Sequence, residues 1–152
     1  MNVQVIGLRG DFTFDDAVRH FTGLGGEVVL FDPSMVCGKA HILSAARHAE
    51  RAFAEGTNRA RNILTEIVLF AACERQIGKA LKKMGPKGDC MVAAVLDCGD
   101  DLHLDELGAV RDDSLCDPSE EKAWNLGAEI YEGVPPEDCV LEMVAMVDLL
   151  KP

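Results

Sequence analysis

The sequence predicts a single α/β domain, residues 1–152, in which a small mixed sheet of about four strands is covered by helices. Three observations lead there. A chain of 152 residues that is 48% apolar fits one hydrophobic core, with no shift in composition to mark a second domain. Short Val- and Ile-rich runs at Asn2 to Leu8, Glu27 to Phe31 and Cys90 to Leu96 read as strands. Between them lie segments whose apolar residues recur every three or four positions, the period of a helix.

After the first strand, Phe14 to Phe21 has helical spacing, with Thr13 available as its cap. Gly23-Leu24-Gly25-Gly26 follows that helix and precedes the second strand. A glycine loop that cradles phosphate has the opposite order, strand then glycines then helix, so these glycines read as a helix end and a turn. From Lys39 to Glu55, Ile42, Ala45, Ala46, Ala49, Ala52 and Phe53 form one helical face, which is expected in the core. The opposite stripe carries His41, Ser44, His48, Arg51 and Glu55. Its two histidines are seven positions apart with no carboxylate between them at ligand spacing, so the stripe fits solvent or RNA contact better than a metal.

Gly56 ends that helix, and Thr57 or Asn58 is expected to cap the next, which runs through Arg61 to Cys73 and onward toward Met84. Apolar residues go nearly all round it, as in a helix packed on more than one side. Glu66 lies in the middle of this apolar stretch and must find backbone donors or a cation, with Arg61 and Arg75 as the candidate cations. Farther on, Ile77, Ala80, Leu81 and Met84 are expected inward and Arg75, Lys79, Lys82 and Lys83 outward, up to the stop at Gly85-Pro86.

Cys90 to Leu96 is a continuous apolar run, the pattern of a central strand. Asp97, Asp100, Asp101, His103 and Asp105 crowd the loop after it. Oxygen ligands at alternate positions can wrap a hard cation, yet the loop lacks the central glycine and closing glutamate of an EF-hand and reads as a solvated turn. Leu102 to Leu107 begins a helical turn, and Asp117-Pro118-Ser119-Glu120 opens another helix, anchored by Trp124 and Leu126. Between Val140 and Leu150 only Glu142 and Asp148 are charged. That segment reads as a short helix feeding a last strand near Val144 to Leu149. Its apolar excess, Val140, Met143, Val144, Met146 and Val147, forms either a partner surface or a central core element.

Composition limits the function. Met1 to Asp11 has no basic cluster ahead of an apolar run, and the longest apolar stretches fall far short of the roughly 20 residues that cross a bilayer. A cytoplasmic protein without a membrane partner is expected. Six cysteines, none in a CxxC pair, read as reduced and mainly buried thiols rather than a disulfide framework or a zinc set. The net charge of -11 argues against a nucleic-acid partner until its distribution is considered. Lys39 to Gly88 holds ten Lys and Arg against four Asp and Glu, a local +6, whereas residues 1–38 carry -3 and residues 89–152 carry -14. A basic block between acidic ends is the footprint of a nucleic-acid surface or of an ordinary solvated helix face.

The stretch from Lys39-Ala40-His41-Ile42-Leu43 through Thr65-Glu66-Ile67-Val68-Leu69 to Arg75-Gln76-Ile77-Gly78-Lys79-Ala80-Leu81 and the Gly85 turn resembles the small kinase-binding subunit of the KEOPS complex. The shared features are an Ala-rich helix opening with His and Leu, a helix with a central Glu in an apolar setting, and Arg-Gln-Ile before a glycine turn. The resemblance implies a non-catalytic subunit, without cofactor or metal, that docks on an atypical kinase. It would also recruit tRNA through its 3′ CCA end for threonylcarbamoyladenosine synthesis. On that reading Lys39, His41, Arg59, Arg61, Arg75, Lys79 and Lys83 are the expected tRNA contacts, with cations on phosphates and a pocket for unstacked terminal bases. Aromatic platforms are scarce in the basic block, which leaves Phe70, His41, arginine planes or aliphatic contacts to receive the bases. Two other readings stay open: a kinase-regulating domain without RNA affinity, and, less favoured, a metal-dependent enzyme built on the 97–105 loop.

Overall fold

The computed structural model describes residues 1–149, so Leu150 of the apolar C-terminal segment lies outside the described residues. Four strands form one sheet: β1 (Val3–Gly10), β2 (Glu27–Phe31), β3 (Cys90–Leu96) and β4 (Ala109–Arg111), in the order β2-β3-β1-β4. The α/β class, the number of strands and the positions of β1, β2 and β3 are as the sequence leads one to expect. The sheet is antiparallel in every pairing rather than mixed. β1 and β2 do point the same way, but β3 inserts between them and pairs antiparallel with both.

Both faces of the sheet are covered, which is why β3 is apolar at every position although its neighbours are antiparallel. One face, with Val5, Val29, Val92 and Ala94, packs under α2 (Lys39–Glu55), α3 (Ile63–Ala72) and the C-terminal helices. The other, with Ile6, Leu30, Ala93 and Val95, meets Ala17 and Phe21 of α1 (Phe14–Gly23). Gly7 is required in β1, because a Cβ there would lie 1.9 Å from the Asp112 backbone oxygen. Its carbonyl accepts the Asp112 N–H at 2.9 Å, so the turn Asp113–Cys116 lies directly on the sheet.

α1 is closed by a capping box in which Thr13 and Asp16 each accept the other's backbone N–H. α2 ends at Gly56 in the left-handed conformation, as expected. The next helix starts later than expected, with Asn62 as its cap, and stops at Cys73, so α4 (Ile77–Met84) is a separate element. Glu66 explains the late start. Its carboxylate accepts the N–H groups of Arg59 and Ala60 at 2.9 to 3.3 Å, drawing residues 57–62 into a turn. The buried carboxylate is thus held by backbone donors, not by Arg61 or Arg75.

The C-terminal third departs most from expectation. After α5 (Leu104–Leu107), β4 joins the sheet edge for three residues, too short to register in the sequence pattern. α6 (Glu120–Leu126) is capped by Ser119 rather than Asp117, and Trp124, expected as an anchor, is 74% exposed. α7 (Pro136–Ala145) leads into a 3-10 turn at Val147–Leu149 instead of a strand. Among the described residues the sheet ends at β4, so a helical path is what lets Val140, Val144 and Val147 all point into the core against α2 and α3.

Candidate nucleic-acid interface and partner face

The basic block folds into α2, α3, α4 and their turns, and the fold divides its cations into two sets. The first is consumed internally. Lys39 Nζ lies 2.6 Å from Asp113 Oδ2, and the same carboxylate takes two hydrogen bonds from Arg111. Those Arg111 bonds, with Lys39 behind them, hold the Asp113 carboxyl well below the usual carboxylate range. Lys83 Nζ donates to the carbonyls of Ala72 and Leu126, the last residues of α3 and α6, so one cation closes two helix C-termini. Arg75 Nη1 donates to the Val147 carbonyl at 3.0 Å and ties the α3–α4 connection to the C-terminal turn.

His41 is a correction. It is fully buried, and so cannot touch RNA from a solvent stripe. Its Nδ1 accepts the Cys37 N–H at 3.1 Å, which makes Nε2 the protonated nitrogen that donates to the Ala71 carbonyl at 2.8 Å. Burial pushes its pKa down to about 4, so the ring is neutral at pH 7. The sequence pattern placed it outside because it shares helical spacing with exposed Arg51 and Glu55, but the first turn of α2 is roofed by the end of α3. Phe70 is also buried, stacked on His48 with ring centroids 5.3 Å apart, and offers no face to a base.

The second set remains outside. Arg59, Arg61, Lys79 and Lys82 are exposed, and among the described residues none has an acidic partner in ion-pair reach. Three of these were expected as contacts; Lys82 joins them. A groove of about 550 Å³ opens between α1 and the α3–α4 hairpin, bounded by Phe14, Val18, Leu64, Val68, Leu81 and Met84. Leu64 in the first turn of α3 and Met84 at the end of α4 share this wall, so the approach to α3 that bears Arg61 lies next to the last turn of α4 that bears Lys82. Leu81 is half-exposed here although its helical spacing suggested burial. α4 packs chiefly on α3, which leaves that flank open. The groove was missed because its walls come from segments about 50 residues apart in sequence, each apolar for reasons that look like ordinary core.

The expected partner surface is also reassigned. Val140, Val144 and Val147 are core; only Met143, half-buried, and Met146, half-exposed, reach the surface. There they join Tyr131 and Glu142 around a shallow depression.

Several of the remaining reactive groups are engaged or protonated. Burial pushes the thiols of Cys73 up to about 12 and Cys116 up to about 11, far from a nucleophilic thiolate at neutral pH. In the acidic loop, Asp97 accepts the Asn2 N–H and Asp101 accepts the His103 N–H. Among the described residues no three His, Cys, Asp or Glu side chains converge to hold a metal ion, and no helix is long and apolar enough to cross a membrane.

A family model described as "Kinase binding protein CGI-121" matches residues 23–148. No curated protein matches the chain significantly.

Proposed function

The chain belongs to the CGI-121 family of kinase-binding proteins, and from that premise we propose that it is a non-catalytic, cytoplasmic subunit of a KEOPS-type complex. It docks on the atypical kinase and recruits tRNA through the 3′ CCA end. One observation carries the RNA part: the α3–α4 region combines an open apolar groove with four exposed cations, Arg59, Arg61, Lys79 and Lys82, that have no acidic partner among the described residues, on a chain that is otherwise acidic. A single-stranded end needs apolar surface for splayed bases and cations for its phosphates, and the α3–α4 hairpin offers both. Aliphatic walls and Phe14 take the role that tryptophan or tyrosine has in other single-strand sites. The kinase takes a different, acidic part of the molecule, around Met143 and Met146. The Cys73 and Cys116 thiols held protonated and the engagement of Asp97 and Asp101 in the 97–105 loop support the non-catalytic reading.

Anisotropy titration of labelled tRNA, with and without its 3′ CCA, tests this. Three or four phosphate contacts predict a log–log salt slope of about -2 to -3, hence roughly 20- to 50-fold weaker binding between 50 and 200 mM salt. Intact tRNA binds tighter than the truncated form, and Lys79→Glu or Arg61→Glu weakens both. Equal or absent binding of the two tRNAs, with the kinase present as well as without it, would leave a kinase regulator without RNA affinity.

A further inference from the structure

The only tryptophan and the only tyrosine of the chain both lie outside the core, on the same side. Trp124 is 74% exposed and Tyr131 49%, and Met146, which lines the same depression as Tyr131, is half-exposed. Two shallow depressions, about 530 and 350 Å³, meet along a shared edge of Gly127, Glu129 and Tyr131. Trp124 and Ile130 border the first, and Met143 and Met146 the second. A folded chain that leaves its largest side chains together in water, next to methionines, presents a contact surface.

The surface has a fixed form. Gly127, left-handed at φ 93°, ends α6 and returns its N–H to Ala123 and Trp124, so the indole sits on a closed helix end. The Tyr131 hydroxyl donates to Glu129 at 2.5 Å, holding that ring on the ridge between the depressions. The surface is also one-signed. From Asp117 to Leu149 there are nine carboxylates and a single cation, Lys122. Lys122 Nζ is spent on the carbonyls of Leu115 and Asp117. Glu129 and Glu142 stand among the lining residues themselves.

We infer that this face receives a basic amphipathic segment of the kinase, a stretch in which Lys or Arg alternates with aliphatic residues. The inference rests on the kinase-docking reading above and names the chemistry of the docking element. Cationic heads lie over the Trp124 ring and against Glu129 and Glu142, and aliphatic side chains fill the depressions beside Met143 and Met146. Charge decides against other occupants. A tRNA or an anionic membrane surface meets like charge here, and so does a second copy of the same face.

The test is affinity of the full chain for its kinase subunit at 50 and 300 mM salt, for wild type, Trp124→Ala and the double variant Glu129→Gln/Glu142→Gln. All these side chains are exposed or at the rim, and thermal melts establish that the variants fold. The expected results are at least about 10-fold weaker binding by Trp124→Ala, in the range of an interface anchor, and a flattened salt dependence in the double variant. Kinase binding at wild-type strength and salt response by both variants would overturn this face while leaving the kinase-docking reading intact. Failure of the wild-type chain to bind its kinase would overturn that reading and the inference with it.

Discussion

His41 shows how one side chain couples pH to the stability of this fold. The neutral ring bridges the approach to α2 and the end of α3. Its pKa is lowered to about 4 in the folded protein against an ordinary 6.5, so between those values the unfolded chain binds the extra proton. The stability that His41 contributes is whole above about pH 6.5 and drains as pH falls toward 4, by at most about 1.4 kcal/mol per pH unit. Thermal melts from pH 7.5 to 4.5 should display this fall, and a His41→Gln variant, though less stable at pH 7, should lose less across the same range. A histidine at helical spacing with an arginine and a glutamate reads as surface, because spacing reports a face and cannot report what roofs one turn of it. Lys39 and Lys83 mislead in the same way: their charge is legible, but the Asp113 carboxylate and the two helix ends that use it are 74 and 43 or fewer residues distant in sequence.

Among elements, the turn from Gly56 to Asn62 depends on Glu66. Three contacts to two backbone N–H groups give the buried carboxylate its only partners among the described residues. Glu66→Ala leaves those donors buried without an acceptor at a cost of about 2–4 kcal/mol. It should lower the urea midpoint accordingly, and it should weaken tRNA binding as well, because the same turn carries Arg59 and leads to Arg61. Glu66→Asp, a methylene shorter, should fall between. The need for a partner at Glu66 was plain from its apolar flanks, whereas the choice of backbone over arginine came from the turn it creates. α4 is the converse case. Its period is that of an amphipathic helix, yet Ile77 and Leu81 stay exposed because no element covers that flank, and the apolar groove is the result.

At the scale of the whole molecule, the α3–α4 region is rich in cations and the segment of α6 and α7 is rich in carboxylates, so the two candidate surfaces differ in charge. The two surfaces should therefore be separable. Lys79→Glu should weaken tRNA binding and leave kinase affinity within about twofold, and Trp124→Ala should do the reverse; anisotropy and calorimetry on the same protein stocks would check both. Loss of both activities in either variant would mean one shared surface. The residues alone determined the α/β class, three of the four strands, the ends of α1 and α2, and the basic block between acidic ends, because local periodicity and charge are properties of short windows. They also carried the resemblance that the family match bears out over residues 23–148. Tertiary structure decided the strand directions, the fate of His41 and Lys83, and the burial of Val140, Val144 and Val147. It decided too where the groove and the exposed Trp124–Tyr131 face lie. Each of these depends on which distant segment covers a given side chain, and that coverage is set only when the helices close over the sheet.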